Sequence, residues 1–171
     1  MSKVVTLSAA VSAPVVFKEM IDKLAAKDPQ FAALIQEMDT REIIAECVKS
    51  AVDALCANHA DITRAPAVLD YYQKAFAGKF HKIIKSRAFS RGIGISVDEK
   101  TGTINFSADD YQHQSEVKRL KDLFHQYFIQ EALKAVLEIL GYNIEASREV
   151  VKDANTGAEK VMLSLCAGKE R

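Results

Sequence analysis

The pattern D-x-x-T-G occurs twice in this chain, as Asp98-Glu99-Lys100-Thr101-Gly102 and as Asp153-Ala154-Asn155-Thr156-Gly157. Each copy lies between runs that are rich in β-branched and apolar residues. The aspartate accepts hydrogen bonds from the backbone ahead of it, and the glycine supplies the left-handed conformation that closes a type I turn with a bulge. The two copies therefore predict two β-hairpins.

Apolar residues alternate with polar ones beside both turns, whereas the segment from about Asp110 to Leu140 repeats its apolar residues at helical spacing. The predicted helix stripe is Val117, Leu120, Leu123, Phe124, Tyr127, Phe128, Val136, Ile139 and Leu140. The apolar strand positions are Ile93, Ile95, Val97, Ile104, Phe106, Ile144, Ala146, Val161, Leu163 and Leu165. The apolar stripe of the helix and the apolar face of the sheet must each be buried against another element. This half therefore predicts a ββαββ unit, in which they cover one another. The predicted fold class is α+β, with a four-stranded antiparallel sheet backed by one long helix.

The N-terminal half is predicted to be a helical array. Helix starts are indicated at Ser12-Ala13-Pro14, at Asp28-Pro29 and at the capping box formed by Asp39 and Glu42. The helix after the capping box is predicted to carry an apolar stripe of Ile43, Ile44, Cys47, Val48, Ala51, Val52 and Leu55. A fourth helix is predicted to begin near Thr63 to Pro66, with an apolar stripe of Leu69, Tyr72, Phe76, Phe80, Ile83 and Ile84. Residues 4–7 fit either a short edge strand or an ordered tail.

This organisation predicts a helical region over residues 1–90 and a sheet–helix domain over residues 91–171, with Ser90-Arg91-Gly92 as the hinge. Each half is too small to bury a large core by itself. We therefore expect the helices to dock on the sheet unit or on a second copy of the chain.

The composition is that of a globular protein. The chain has 171 residues, of which 49% are hydrophobic and 27% charged, and its formal net charge is +0. This balance allows a buried core and argues against disorder. It also provides no global field that would attract nucleic acid or an anionic membrane, so such a role would need a local patch.

The sequence predicts a cytoplasmic protein that does not insert into a membrane. Its three cysteines, Cys47, Cys56 and Cys166, are odd in number and suit reduced thiols better than a disulfide framework. No apolar run is long enough to cross a bilayer. A signal peptide is the alternative for the N-terminus, but Ser8, Ser12 and Pro14 interrupt the apolar run that it would need.

Residues 92–165 resemble a small uncharacterised family of conserved proteins from cyanobacteria and algal plastids. The resemblance rests on Ile93-Gly94-Ile95-Ser96, on Ala108-Asp109 after the second strand, on Tyr127 in the helix and on Gly141-Tyr142 at its end. Where the family has Gln-x-Tyr in the helix, this chain has His125 two residues before the tyrosine and Gln126 beside it. The resemblance implies the sheet–helix fold and no particular reaction.

The strongest local charge feature is a window without acidic residues between Asp70 and Asp98. It contains the candidate binding residues Lys74, Lys79, Lys82, Lys85, Arg87 and Arg91, together with His81. On the predicted helix such a stripe could follow a phosphate backbone, with Tyr71 or Phe89 available for stacking. The alternative is a solvated helix face whose charges are balanced by acids such as Glu37, Asp53 or Glu116.

Two further clusters contain residue types that are found in metal sites or in acid–base catalysis. Cys56 and His59 form a C-x-x-H, but Cys47 is more than two helical turns away, so no metal site and no cofactor are predicted. Asp109, Asp110, His113 and the more distant His125 carry titratable groups that could act in acid–base catalysis. A helix N-terminus favours carboxylates at the same positions, and capping accounts for them without catalysis.

These observations favour a non-catalytic interaction or adaptor protein over an enzyme. No phosphate-binding glycine loop, nucleophile elbow or metalloprotease motif occurs in the sequence. A helical half that is rich in apolar residues could offer a surface for a protein partner or for self-association. The alternative function is nucleic-acid binding through the basic segment 74–91.

Overall fold

The computed structural model describes residues 5–8, 21–98 and 103–168, and it has an α+β fold. Residues 21–27 form helix α1, followed by α2 (Pro29–Glu37), α3 (Thr40–Asn58) and α4 (Gln114–Ile139). The strands are β1 (Val5–Ser8), β2 (Ile62–Arg64), β3 (Lys82–Ser86), β4 (Ile93–Val97), β5 (Ile104–Ala108), β6 (Asn143–Lys152) and β7 (Glu159–Gly168).

The strands form two antiparallel sheets. The larger sheet has five strands in the order β1-β5-β4-β3-β2, and β6 pairs with β7 in a separate two-stranded sheet. In the larger sheet Ile95 lies opposite Phe106, and Ile84 lies opposite Ile93. Of the two alternatives that the sequence leaves for residues 4–7, the structure shows the edge strand, β1, which pairs with β5.

The predicted sheet joins both hairpins, and this part of the prediction is wrong. The first hairpin, β4–β5, is extended by β3 and β2 on one side and by β1 on the other. Within the described part of the chain, the second hairpin, β6–β7, pairs only with itself. The partners of the first hairpin come from the N-terminal half, so its edges are already occupied.

The predicted fourth helix is also absent, because residues 62–64 and 82–86 are strands joined by a loop over residues 65–81. The β-branched pair Ile83-Ile84 gains backbone pairing with β4, and the Ile84 side chain becomes buried. Tyr72, expected on the apolar stripe of a helix, is exposed instead. The predicted domain boundary near residue 90 falls between β3 and β4, two strands that are hydrogen-bonded to each other.

The core lies between one face of the larger sheet and the antiparallel pair α3 and α4. The predicted stripe of α3 is buried at Ile44, Cys47, Val48, Ala51, Val52 and Leu55. On α4 the predicted positions Val117, Leu120, Leu123, Phe124, Tyr127, Phe128 and Val136 are buried. Phe106 of β5 meets Phe124 of α4 edge to face, with ring centroids 5.5 Å apart. The predicted stripes are thus confirmed at these positions, and their remaining members Ile43, Ile139 and Leu140 are half-buried against the core.

The second predicted turn is confirmed. The Asp153 carboxylate accepts hydrogen bonds from the backbone N–H groups of Asn155 (2.7 Å) and Thr156 (3.1 Å), and Gly157 has a φ of 69°. Of the first turn, residues 99–102 lie outside the described residues. The two residues that flank this turn are hydrogen-bonded to each other: the Asp98 N–H donates to the Thr103 carbonyl at 2.8 Å.

Candidate interaction surface

The loop between β2 and β3 folds back on itself into a small hairpin over residues 68–76. Leu69 and Ala75 form an antiparallel bridge, and the Asp70 N–H donates to the Lys74 carbonyl at 2.9 Å. The Asp70 carboxylate accepts from the Lys74 N–H at 2.8 Å, and Gln73 takes a positive φ of 64° to complete the turn. The tip of this hairpin therefore presents Tyr71 and Tyr72 outward.

A second loop, residues 109–113 between β5 and α4, adds a third tyrosine. The exposed fractions are 45% for Tyr71, 67% for Tyr72 and 38% for Tyr111. The Tyr71 ring meets Tyr72 and Tyr111 edge to face, at centroid distances of 5.4 and 5.1 Å. We call these three residues the tyrosine patch. Edge-to-face packing is the arrangement that aromatic quadrupoles prefer, so the rings support one another.

A buried ion pair beneath the tyrosine patch joins the two loops. The Asp109 side chain is fully buried and accepts from the N–H groups of Tyr71 (2.7 Å) and Tyr111 (3.2 Å). The Arg91 guanidinium, 6% exposed, lies with Nη1 3.6 Å from Asp109 Oδ1, and its Nη2 donates to the Tyr111 carbonyl. The Arg91 carbonyl accepts from the Leu69 N–H at 2.8 Å. One carboxylate and one guanidinium thus position both tyrosine loops.

The Arg91 guanidinium also packs against aromatic rings. Its central carbon lies 5.7 Å from the Tyr71 ring centroid and 5.3 Å from the Phe89 ring centroid. Cation–π contact is favourable at such distances, and it strengthens when water is excluded. Arg91, a candidate binding residue of the basic window, is therefore a buried cation beneath the surface, and a role for it in phosphate binding stays a prediction.

The other five basic candidates do not lie on one helix face. Lys74 and Lys79 are exposed in the 65–81 loop, and Arg87 is exposed after β3. Lys82 and Lys85 are half-buried on β3, three residues apart, so they point to opposite faces of the sheet. None of the five forms a salt bridge within the part of the chain that the structure describes. Two acids that could have balanced them have other partners: Asp53 pairs with Arg64 and Glu116 with Arg119.

The two candidate histidines lie in different surroundings, and neither Asp109 nor Asp110 is the N-cap that the sequence predicts for α4. His113 is the N-cap of α4 and makes no capping hydrogen bond with its side chain, while Asp109 binds the loop N–H groups instead. His113 packs near Phe89, at 5.6 Å between centroids, and His125 packs near Phe106, at 5.3 Å. The two histidines therefore occupy different surroundings, and burial lowers the pKa of His125.

Cys47 and His59 are buried, whereas Cys56 is half-buried and Cys166 is exposed. Burial raises the pKa of the Cys47 thiol to about 12, which leaves it protonated and a poor nucleophile. His59 Nε2 lies 3.0 Å from the Tyr127 hydroxyl in the core. Within the described residues no group of three His, Cys, Asp or Glu side chains could hold a metal ion.

Sequence reasoning identified only part of the tyrosine patch. The sequence indicates Tyr71 as a stacking residue, whereas it places Tyr72 on the apolar stripe of a predicted helix and does not single out Tyr111. A sequence signal for the site does exist, since Asp70-Tyr71-Tyr72-Gln73 places two large aromatics beside a turn-forming aspartate. The contribution of Arg91 and Asp109 has no local signal, because they are 18 residues apart in sequence (109 − 91).

No family model, curated protein or solved structure matches this chain. The resemblance of residues 92–165 to the cyanobacterial and plastid family therefore stays a prediction. Every helix in the described ranges is too short or too polar to cross a lipid bilayer.

Proposed function

We propose that this protein is a non-catalytic interaction protein of the cytoplasm that binds a protein partner through the tyrosine patch. The observation that carries the proposal is three exposed tyrosines on two loops that share one buried ion pair. Tyrosine is enriched in protein interfaces because it combines a large apolar ring with a hydroxyl that bonds to water or to a partner. Three free cysteine thiols are consistent with a reducing compartment.

The loops that carry the patch are held in position before any partner binds. Hydrogen bonds to Asp109 and Arg91 restrain both loops, so little conformational entropy remains to be lost on association. Gln73 and Gln112 both take a φ of 64°, a conformation that costs a residue with a side chain about 1 kcal/mol. Strained backbone of this kind is concentrated at functional sites, which supports a recognition role for the two loops.

The test compares two full-length baits by chemical cross-linking and mass spectrometry in native lysate. A Tyr72→Ala/Tyr111→Ala variant should lose the partners that the wild-type protein captures, because tyrosine is enriched among the interface residues whose truncation costs about 2 kcal/mol or more. The matched control is Val151→Ala/Met162→Ala, which shortens two exposed apolar side chains on the β6–β7 hairpin. Recovery of the same partners by wild type and by the tyrosine variant would contradict the proposal.

A second candidate function is binding of single-stranded nucleic acid by the same loop. It is favoured by one specific observation: exposed Lys74 and Lys79 lie in the loop of Tyr71 and Tyr72, and neither makes an ion pair within the described residues. Cations that follow a phosphate backbone and aromatic rings on which bases stack are the two components of such sites.

Fluorescence anisotropy with short single-stranded and duplex oligonucleotides decides this candidate. Binding should weaken steeply as salt rises and should fall in Lys74→Glu/Lys79→Glu, but not in Lys23→Glu/Lys49→Glu, which reverses two lysines of α1 and α3. An absence of binding at low salt would exclude it and leave the protein-binding proposal standing.

A further inference from the structure

A groove separates the N-terminal half of α3 from the C-terminal half of α4. It encloses about 610 Å³, and its floor is apolar, formed by Ile43, Cys47, Ala135 and Ile139. Exposed Met38, at the end of α2, also lines the groove. A concave apolar surface between two helices is the usual receptor for an amphipathic helix, which places its apolar side chains in the groove.

The rims of the groove are acidic. Glu42 and Glu46 are exposed on α3, one turn apart, and Glu138 is exposed on α4. None of these three forms a salt bridge within the described residues. Glu131, at the base, is different: it is buried and pairs with Arg148 and, at 3.5 Å, with Lys134. The rims therefore offer three carboxylates that are free to meet cations of a partner.

The pKa of the Cys47 thiol, which lies in the floor, indicates a negative potential in the groove. Burial is the largest cause of its raised pKa, and the carboxylates of Glu131, Glu138 and Glu46 raise that pKa further. These carboxylates belong to both helices, so they act together on one point of the floor. A negative potential over an apolar surface favours a partner that is both cationic and apolar.

We propose that this groove binds an amphipathic helix of a partner protein, with apolar residues at i, i+3, i+4 and i+7 on the floor and lysines or arginines against the acidic rims. The lining on α3 runs from Glu42 to Ser50, which is about 12 Å of helix and accommodates roughly two turns of a ligand. The site is separate from the tyrosine patch, since Glu131 lies about 25 Å along α4 from its first residue, Gln114.

The probe is a fluorescein-labelled amphipathic peptide of about 18 leucines and lysines, long enough to be helical, titrated with the full-length protein and followed by anisotropy. Saturable binding should weaken by about tenfold or more in Glu46→Lys/Glu138→Lys, since two attractions become repulsions. Both substitutions lie on exposed helix positions, and a lysine in the last turn of α4 suits the helix dipole, so the variant should fold.

The matched control is Glu145→Lys/Glu149→Lys on exposed positions of β6, which changes the net charge equally. Binding unchanged in this control supports the groove, whereas an equal loss in both variants shows non-specific charge attraction and overturns the proposal. A leucine–glutamate peptide that binds equally well also overturns it.

Light scattering completes the test: if the wild type is a dimer that Glu46→Lys/Glu138→Lys converts to monomer, a second copy occupies the groove and the proposal fails.

The outcome is independent of the proposed function of the tyrosine patch. The Glu46→Lys/Glu138→Lys variant should still capture the partners of the tyrosine patch, and the Tyr72→Ala/Tyr111→Ala variant should still bind the peptide. The two variants, measured in both assays, therefore separate failure of one site from failure of the other.

Discussion

Arg91 and Asp109 are the residues on which the geometry of the interaction surface depends. Both side chains are at least nine-tenths buried; Asp109 accepts hydrogen bonds from two loop N–H groups and lies 3.6 Å from Arg91 Nη1 as its ionic partner. A buried charge without its partner is far more costly than an exposed one, because the low dielectric removes the solvent that would stabilise it. The pair therefore couples the conformation of the tyrosine loops to the stability of the fold.

Asp109→Asn should lower the free energy of unfolding by about 3 kcal/mol, because it leaves the Arg91 charge buried and uncompensated. Asp110→Asn, the neighbouring position with a half-buried side chain, should change the stability by less than about 0.5 kcal/mol. Urea unfolding followed by circular dichroism measures both. A small effect at Asp109 would show that the ion pair does not form in solution.

The pair of His59 and Tyr127 predicts a pH dependence of stability. Burial lowers the pKa of His59 below its ordinary value of 6.5, so the folded state binds its proton less readily than the unfolded state. The stability is therefore complete above about pH 6.5 and is lost as the pH falls from there through the folded pKa. His125 contributes in the same direction, because burial lowers its pKa too.

His59→Gln should reduce the loss of stability between about pH 7.5 and about pH 5.5, with the remainder removed by adding His125→Gln. Chemical unfolding of the wild type and both variants at the two pH values gives the comparison. An unchanged loss in His59→Gln would mean that His59 is accessible to protons in the folded state.

At the scale of elements, the β6–β7 turn shows how a local pattern determines a hairpin. Gly157 has a positive φ, and a Cβ atom added to it would meet no atom within 4 Å. Any cost of a side chain there must therefore come from the backbone conformation itself and not from a clash. Gly168, at the end of β7, has the same open surroundings but no positive φ.

Gly157→Val should lower the free energy of unfolding by about 1–2 kcal/mol, whereas Gly168→Val should be close to neutral. Differential scanning calorimetry of the two variants tests the difference. Equal melting temperatures for both would show that the turn adopts another conformation in solution.

The same hairpin illustrates how α4 supplies what a two-stranded sheet lacks. An isolated hairpin is at best marginally stable in water. Here the Gln126 amide donates to the Glu159 carbonyl at 3.1 Å and accepts from the Val161 N–H at 2.9 Å, and Gln130 donates to the Val161 carbonyl at 2.8 Å. Two side chains one helical turn apart thus satisfy backbone groups at the start of β7 and hold the hairpin against the helix.

At the scale of the whole molecule, Arg119 of α4 connects three parts of the structure. Its guanidinium binds Glu159 of β7 (2.8 and 3.2 Å), Asp61 before β2 (2.9 Å) and Glu116 on its own helix (2.9 Å). Hydrogen bonding to Glu159 is the largest reason that the pKa of Arg119 is raised. A half-buried cation shared by several carboxylates contributes more than an isolated surface pair.

Arg119→Ala should therefore loosen the docking of the β6–β7 hairpin on the rest of the molecule. Hydrogen exchange should accelerate by about tenfold in β6 and β7, for a loss of about 1.4 kcal/mol, while β3, β4 and β5 keep their protection. Lys118→Ala, which removes an exposed pair with Asp122, serves as the control and should leave exchange unchanged. Uniform acceleration over all strands would mean that the hairpin does not open independently.

The sequence by itself determined the features that depend on neighbours within about one turn. The Asp153–Gly157 turn, the buried stripes of α3 and α4, and the end of α4 at Gly141 with a φ of 86° were predictable because propensity and periodicity are local properties. The expectation that the protein holds no cofactor and is not an enzyme stays a prediction.

Only the tertiary structure decided which residues between 62 and 86 become strands. The spacing of Phe76, Phe80 and Ile83 fits a helix, but β3 gains its stability from pairing with β4, which lies on the far side of a turn. The same holds for the tyrosine patch and for the buried position of Arg91. A charged side chain is buried only where an oppositely charged partner lies beside it, and that partner can be distant in sequence. Neither periodicity nor composition indicates that Asp109 lies beneath Tyr71.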